Sequence, residues 1–133
     1  MKCLIVVAHP VEDSLCRTLA RSAIDALVSA GHEVEIEDLY RSEFAAALTA
    51  IERRSYYAES FDCNEVQQQI DRLLNAEALV LVFPTWWFGF PAILKGWFDR
   101  VWAPDSKVAA NIHSTQKLRR KLMPSFCPIS ENR

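Results

Sequence analysis

Two stretches of this 133-residue sequence combine residue types and spacing that can bind a ligand. The first runs from an apolar segment into an amphipathic one and reads His9-Pro10-Val11-Glu12-Asp13-Ser14-Leu15-Cys16. The second follows the apolar run at 79–83 and reads Pro84-Thr85-Trp86-Trp87-Phe88-Gly89-Phe90. Each stretch therefore lies where a predicted strand passes into a predicted helix.

The first stretch can bind a phosphate without glycines. Free N–H groups and the dipole of a helix N-terminus favour an anion, Ser14 can donate a hydrogen bond to it, and His9 can add a donor or a positive charge. The alternative interpretation is that Ser14 or Asp13 only caps the helix and that His9 is a polar residue at a strand end. Neither G-x-G-x-x-G nor a Walker lysine loop is present.

The second stretch holds adjacent aromatic side chains that cannot all face one core. Two or more must be exposed or must contact a ligand or a partner. A flat ring system can stack there, and backbone groups of the loop can hydrogen-bond its edge. A subunit interface is the alternative, and it is compatible with a ligand.

The surrounding pattern predicts an α/β fold. Short apolar segments at 4–8 and 79–83 and an alternating segment at 32–39 predict three strands, and Pro91 suits the first turn of a helix after the aromatic loop. Further helices are predicted after Asp13 or Ser14, from Thr49 with Glu52 at a capping box, and after Asp62 or Asn64.

Two faces can also be assigned from the pattern. The first helix is predicted to bury the stripe Leu15, Leu19, Ala23, Ile24, Leu27 and Val28. In the alternating strand, Val34 and Ile36 are predicted to share one face, and Glu33, Glu35 and Glu37 the charged other face of an edge strand. A doubly wound parallel sheet orders the three strands 2-1-3, which leaves the apolar third strand at an edge that needs cover.

Composition limits the function classes. The net charge is −2, with 9 basic and 15 acidic residues in 1–103 and 6 basic and 2 acidic residues in 104–133. We interpret the basic end as a solvated tail, with one further short helix around 115–122, rather than a nucleic-acid-binding surface. No apolar stretch is long enough to span a bilayer. The cysteines have no metal-site spacing and no secretory signal precedes them, which favours reduced thiols in a cytoplasmic protein: Cys3, Cys16, Cys63 and Cys127.

The motifs resemble those of the flavodoxin-like NAD(P)H:quinone oxidoreductases. The similarity rests on His9-Pro with Ser14, on the segments at 31–34 and 38–40, and above all on the stretch at 83–101, FPTWWFGFPAILKGWFDRV. The resemblance implies a flavodoxin-like doubly wound sheet and a homodimer. It also implies a flavin, FAD or less often FMN, which takes a hydride from NAD(P)H and reduces a quinone or similar acceptor in a second half-reaction.

By the same resemblance, nine residues are expected to contact the flavin. The phosphate side would be lined by His9, Ser14, Leu15 and Cys16, and the isoalloxazine would be held by Pro84, Thr85, Trp86, Trp87 and Phe88. No catalytic residue and no metal ligand is identified. Many relatives have Asn or another polar residue where this chain has Cys16.

The similarity is expected to cover residues 1–104, a flavin-binding domain that lacks the fourth and fifth strands of the family fold. The divergent basic segment 105–133 carries no matching flavin loop, and His113 receives no role. Truncation is expected to weaken or abolish activity.

Two other functions compete with this one. The first is a non-catalytic interaction protein that pairs through its third strand and aromatic loop. The second is a zinc-dependent deacetylase, suggested by Ala8-His-Pro-Val-Glu-Asp, although Val11 replaces the first Asp of that motif and no downstream His pair completes it.

Overall fold

The computed structural model describes residues 1–58 and 61–102. Within them, three parallel strands, β1 (Lys2–Val7), β2 (Glu33–Asp38) and β3 (Ala78–Val82), form a sheet in the order β2-β1-β3. Val7 at the end of β1 is paired with Asp38 of β2 and with Val82 of β3, so the carboxyl ends of all three strands meet at one edge. The predicted fold class and strand order are confirmed.

The helices are α1 (Leu15–Ser29), α2 (Ala50–Ser55), α3 (Gln67–Asn75) and α4 (Ala92–Val101), with a short 3-10 turn at Asn64–Val66 before α3. Helices α3 and α4 pack on one face of the sheet against Leu4, Val6 and Leu39. On the other face α1 packs against Ile5 and Val7, through Ala20, Ile24 and Leu27. The sheet is therefore covered on both sides, as the apolar composition of β1 requires.

The predicted apolar stripe of α1 is partly wrong. Ala20, Ile24 and Leu27 face the sheet, but Leu15, Leu19 and Val28 are more than half exposed. The helix is rotated because Arg17, which the stripe did not include, points inward and is 8% exposed. The rotation leaves Leu15 and Leu19 beside the carboxyl end of β3.

The charged face of β2 is also not fully solvated. Glu37 is buried under α3, where Arg72 donates to its Oε2 at 3.3 Å and also pairs with Glu35 at 2.9 Å. Burial is the main cause that raises the pKa of Glu37, and the bonds from Arg72 oppose it. Ile36, predicted to share one face with Val34, is 48% exposed because α1 covers only part of this edge strand.

Strand β3 is paired with β1 along one side, and no strand of residues 1–58 and 61–102 is paired with its other side. All five of its residues are half-buried, in keeping with an edge position. The predicted helix at 115–122, the basic segment 105–133, His113 and Cys127 lie outside the described residues.

One buried arginine fixes α4 to the loops beneath it. Arg100 is 1% exposed, and its Nε donates to the two Glu52 oxygens at 2.9 and 3.1 Å. Its guanidinium also pairs with Glu65 at 2.6 Å and donates to the Ala45 carbonyl. Nearby, Gly96 lies so close to residue 46 that a Cβ would be 2.0 Å from the Ala46 carbonyl oxygen.

The predicted capping box of α2 positions Glu52 for this ion pair. Thr49 Oγ1 accepts from the Glu52 amide at 3.2 Å, and the Glu52 carboxylate accepts from the Thr49 amide at 2.7 Å. Burial disfavours the charged carboxylate, but the hydrogen bonds from Arg100 and Thr49 outweigh burial, so the pKa of Glu52 lies below its usual value. A residue predicted only as a helix cap therefore also neutralises a buried cation.

We expect Glu52→Gln to lower the free energy of unfolding by about 3 kcal/mol at pH 7, because it removes the buried charged partner of Arg100 and leaves only the largely exposed Glu65. Since the folded pKa is depressed, the stability that Glu52 contributes is present above its unfolded pKa of about 4.3 and is lost as the pH falls through the folded value. Urea denaturation from pH 7 to pH 3 measures the difference between the two proteins. A difference that does not shrink toward acid pH would contradict this assignment.

Candidate functional site

A cleft of about 280 Å³ opens between α1 and the carboxyl end of β3. We call it the α1–β3 cleft. It lies at the edge where ligands bind in open α/β sheets. Its lining includes five of the nine predicted flavin contacts, His9, Ser14, Leu15, Cys16 and Pro84, together with Leu19, Val82 and Phe83. The two stretches singled out in the sequence are therefore adjacent in space.

The N-terminus of α1 faces this cleft with unused donors. Ser14 is the N-cap, and its Oγ accepts from the Arg17 amide at 3.3 Å. The predicted alternative that Ser14 caps the helix is thus correct, although its hydroxyl can still donate a hydrogen bond. Within the described residues, the amides of Leu15 and Cys16 donate to no backbone acceptor, as expected for a first helical turn. An anion at the helix terminus would meet three donors.

His9 is held against the backbone of Val11. Its Nδ1 lies 3.1 Å from the Val11 amide nitrogen and 3.2 Å from the Val11 carbonyl oxygen, so one tautomer of the ring accepts from the amide and the other donates to the carbonyl. The ring lies 6.0 Å from that of Trp86, measured between centroids and inclined by 57°. The first stretch and the aromatic loop therefore contact each other across the mouth of the cleft.

The aromatic loop is a tight, strained turn. Trp86 and Gly89 exchange two backbone hydrogen bonds, of 3.2 and 3.0 Å, which force Trp87 and Phe88 into the left-handed region at φ 49° and 62°. Both side chains are almost fully exposed, at 95% and 100%. Their amides donate to no backbone acceptor within the described residues and are available to a ligand.

The loop is anchored on its far side by Phe90. The Phe90 ring lies 5.1 Å from that of Phe83 and 5.4 Å from that of Phe98, so it packs between β3 and α4. Thr85, Trp86, Trp87 and Phe88, which were also predicted to hold a flavin, follow Pro84 but do not line the α1–β3 cleft. The structure therefore separates the predicted contacts into a cleft and an adjacent exposed loop.

A buried ion pair fixes the first stretch to the sheet. Arg17 makes a bidentate contact with Asp38 at the end of β2, and its Nη2 donates at 3.0 Å to the carbonyl of His9. The hydrogen bonds that Arg17 donates to the Asp38 carboxylate raise the pKa of Arg17, and burial opposes them. Burial works against the charged Asp38, but the bonds from Arg17 and the Arg41 amide prevail and lower the pKa of Asp38. Arg17 on α1 therefore holds the backbone of His9 next to the end of β2.

Glu12, close to Ser14, does not repel an anion from the cleft as strongly as its charge suggests. Glu12 pairs with Arg41 at 3.1 Å and lies 3.7 Å from Arg17, so two arginines compensate its charge. Glu12 and both arginines line the other side of α1. Cys16 adds no charge, because burial raises the pKa of its thiol, with Arg17 opposing the effect.

The sequence reading missed some of this site. Leu19 was assigned to the core stripe together with Leu15. The two residues are four apart and lie on the same face of α1, but both line the α1–β3 cleft instead of the core. Arg17 and Asp38 had no pattern that marked them, because the contact joins residues 21 apart.

No three His, Cys, Asp or Glu side chains among residues 1–58 and 61–102 lie close enough together to hold a metal ion. In the same part of the chain, no helix is long and apolar enough to cross a membrane.

Comparison with known proteins identifies the fold family. A family model for the flavodoxin-like fold, Flavodoxin_2, matches residues 1–123. An uncharacterized NAD(P)H oxidoreductase of Escherichia coli is 38% identical over 101 residues, which are 74% of this chain and 50% of that protein. A second uncharacterized NAD(P)H oxidoreductase, from Haemophilus influenzae, is 34% identical over 134 residues, covering 99% of this chain and 66% of its own length.

Among solved structures, an NAD(P)H:quinone oxidoreductase from Methanothermobacter marburgensis superposes with a TM-score of 0.73 and 34% identity, over 79% of this chain and 55% of that one. The chain thus spans about half to two thirds of the length of these relatives.

We expect Arg17→Met to lower the free energy of unfolding by about 3 kcal/mol, because it keeps the packing but leaves the mostly buried Asp38 carboxylate with only the Arg41 amide as a partner. The double variant Arg17→Met with Asp38→Asn should recover a large part of that loss, since no uncompensated charge remains. Urea denaturation of the four proteins in the cycle measures both effects. Additive losses from the two substitutions would show that the pair does not interact as described.

Proposed function

The chain belongs to the Flavodoxin_2 family of flavodoxin-like fold, and from that membership we propose that it is a flavin-dependent NAD(P)H:quinone oxidoreductase. The observation that carries the proposal is the α1–β3 cleft, in which the N-terminus of α1 and the apolar end of β3 face the same space. The names of the relatives support oxidoreductase chemistry with NAD(P)H, and that of the solved structure adds a quinone.

The residues of the cleft fit the two chemically different parts of a flavin nucleotide. Donors for the phosphate side are the Ser14 hydroxyl and the amides of Leu15 and Cys16, at the positive end of a helix dipole. Apolar surface for the ring system comes from Leu15, Leu19, Val82, Phe83 and Pro84. We propose FAD as the cofactor, with FMN as the smaller alternative that the same donors accept.

When bound, a flavin supplies hydride acceptance from NAD(P)H and reduction of a quinone in a second half-reaction. The chain itself binds, orients and shields. The Trp87 and Phe88 amides can donate hydrogen bonds to the polar edge of the ring. Along the chain, Thr85 and Trp86 connect these amides to Pro84, which lines the cleft. His9 lines the same cleft and can offer its ring nitrogen Nε2 to a ligand. Leu15 and Leu19 on α1 exclude water from one side of the cleft.

The exposed side chains of Trp87 and Phe88 suggest a second role for the aromatic loop. Two large apolar rings that are almost fully exposed are costly for an isolated chain. We propose that they contact a second copy of the chain in a homodimer, close to the flavin.

One observation favours a second candidate function, a non-catalytic interaction protein. The outer side of β3 is unpaired within the described residues, and such an apolar edge can accept a strand from another chain. Both candidates predict association, but only the oxidoreductase predicts flavin binding and turnover. Sedimentation of the 133-residue chain with and without flavin separates them, since a complex that binds no flavin would favour the interaction protein.

The flavin proposal is tested by titrating the purified 133-residue chain with FAD and with FMN and following flavin fluorescence. The variant Leu19→Glu places a carboxylate against the apolar lining of the cleft, so we expect flavin binding to weaken at least about tenfold. Leu19 is half exposed, and the substitution should leave the fold intact. Quinone-dependent oxidation of NADH and NADPH by the flavin-loaded protein is measured in parallel.

Val28→Glu is the matched control, because Val28 lies on the same helix, is 55% exposed like Leu19, and is remote from the cleft. It should bind flavin as the parent protein does. The proposal fails if neither flavin binds the parent chain, or if both glutamate variants bind equally well.

A further inference from the structure

A second cleft lies on the opposite side of α1, between this helix and the exposed edge strand β2. We call it the α1–β2 cleft. At about 410 Å³ it is larger than the α1–β3 cleft. Its apolar wall consists of Val7, Ala20, Ile24 and Ile36. Since Ile36 is 48% exposed in the middle of a strand, this wall presents real apolar surface to solvent.

Charged side chains line the rest of this cleft, and their charges do not sum to zero. Three arginines face two carboxylates, Glu12 and Asp38. Asp38 is neutralised by the buried Arg17, and Glu12 by Arg41 at 3.1 Å. Within the described residues Arg21 makes no ion pair or hydrogen bond through its side chain. The cleft therefore combines an apolar wall with one uncompensated cation.

We propose that the α1–β2 cleft binds a small amphipathic anion, an apolar ring system that carries one carboxylate or sulfonate. The ring would cover Ile36 and Ile24, and the anionic group would pair with Arg21. Burial of the ring against this apolar wall contributes to the affinity for any ring of the same shape, charged or neutral. The pairing with Arg21 selects anions over neutral rings of the same shape.

This site is separate from the proposed flavin site. The α1–β3 cleft is lined by Leu15, Cys16 and Leu19, whereas the α1–β2 cleft is lined by Arg17, Ala20, Arg21 and Ile24, which lie on the other side of the helix. The two clefts share no lining residue. Binding of the anion therefore does not depend on the chain being a flavoprotein.

The ion pair of Arg17 nevertheless connects the two sites. Its guanidinium lines the α1–β2 cleft and also donates to the carbonyl of His9, which lines the α1–β3 cleft. One guanidinium therefore contacts residues of both clefts.

The probe is 2-naphthoate, titrated into the isotopically labelled 133-residue chain, with amide chemical shifts recorded by NMR. We expect shifts concentrated in residues 17–24 and 36–41, and binding that weakens as salt is raised, because the anionic contact is partly exposed. The neutral isostere 2-naphthamide should bind at least about fivefold more weakly.

The matched variants are Arg21→Gln and Arg54→Gln, both exposed arginines on helices. Only Arg21→Gln should weaken 2-naphthoate, by about fivefold, and it should bring the affinity to that of 2-naphthamide. Ile36→Glu, at a half-exposed strand position that tolerates a polar residue, should abolish binding of the anion. Equal binding of acid and amide, equal affinity of the two glutamine variants, or shifts confined to residues 9–16 and 84–88 would each overturn the proposal.

Discussion

The buried pair of Arg17 and Asp38 is the contact on which both clefts depend. It joins the first turn of α1 to the end of β2, and through the His9 carbonyl it also fixes the loop that leaves β1. Three backbone segments are thus held at the edge of the sheet by one guanidinium. Because both side chains keep only about a tenth of their surface exposed, removing either one would leave the other charge poorly compensated. The position of the α1 N-terminus, and with it the direction of its free amides, follows from this pair.

A second buried arginine, Arg100, fixes the position of α4 and so of the aromatic loop that precedes this helix. Arg100 ties α4 to α2, to the 3-10 turn and to the Ala45 carbonyl, while Gly96 allows the helix to approach residue 46 closely. Since α4 begins immediately after the loop, its fixed position determines where Phe90 can pack. The two arginines act on opposite faces of the sheet, yet both fix loops at its carboxyl edge.

The sequence was informative where the signal was local. The strands, the capping box of Thr49 and Glu52, and the helix that follows the aromatic loop and Pro91 all follow from short-range signals, and the structure has them. It was misleading where a long-range contact decides the orientation. Arg17 turns inward to meet Asp38, which rotates α1, and Glu37 is buried because Arg72 reaches it from α3. Neither partner could be identified from spacing along the chain. Five of the nine residues assigned to the flavin line one cleft because the ends of parallel strands meet, which is a property of the fold rather than of the motif.

The aromatic loop within the motif at 83–101 is held in a strained backbone conformation. A bulky residue in the left-handed region costs about 1 kcal/mol or more, and this loop has two in succession, Trp87 and Phe88. The conformation persists because contacts on both sides determine it: the two hydrogen bonds between Trp86 and Gly89, and the packing of Phe90 between Phe83 and Phe98. The energy stored in this way holds two backbone amides free of internal partners beside an apolar cleft. A relaxed turn would allow those amides to move, so the strained conformation fixes the direction in which they point.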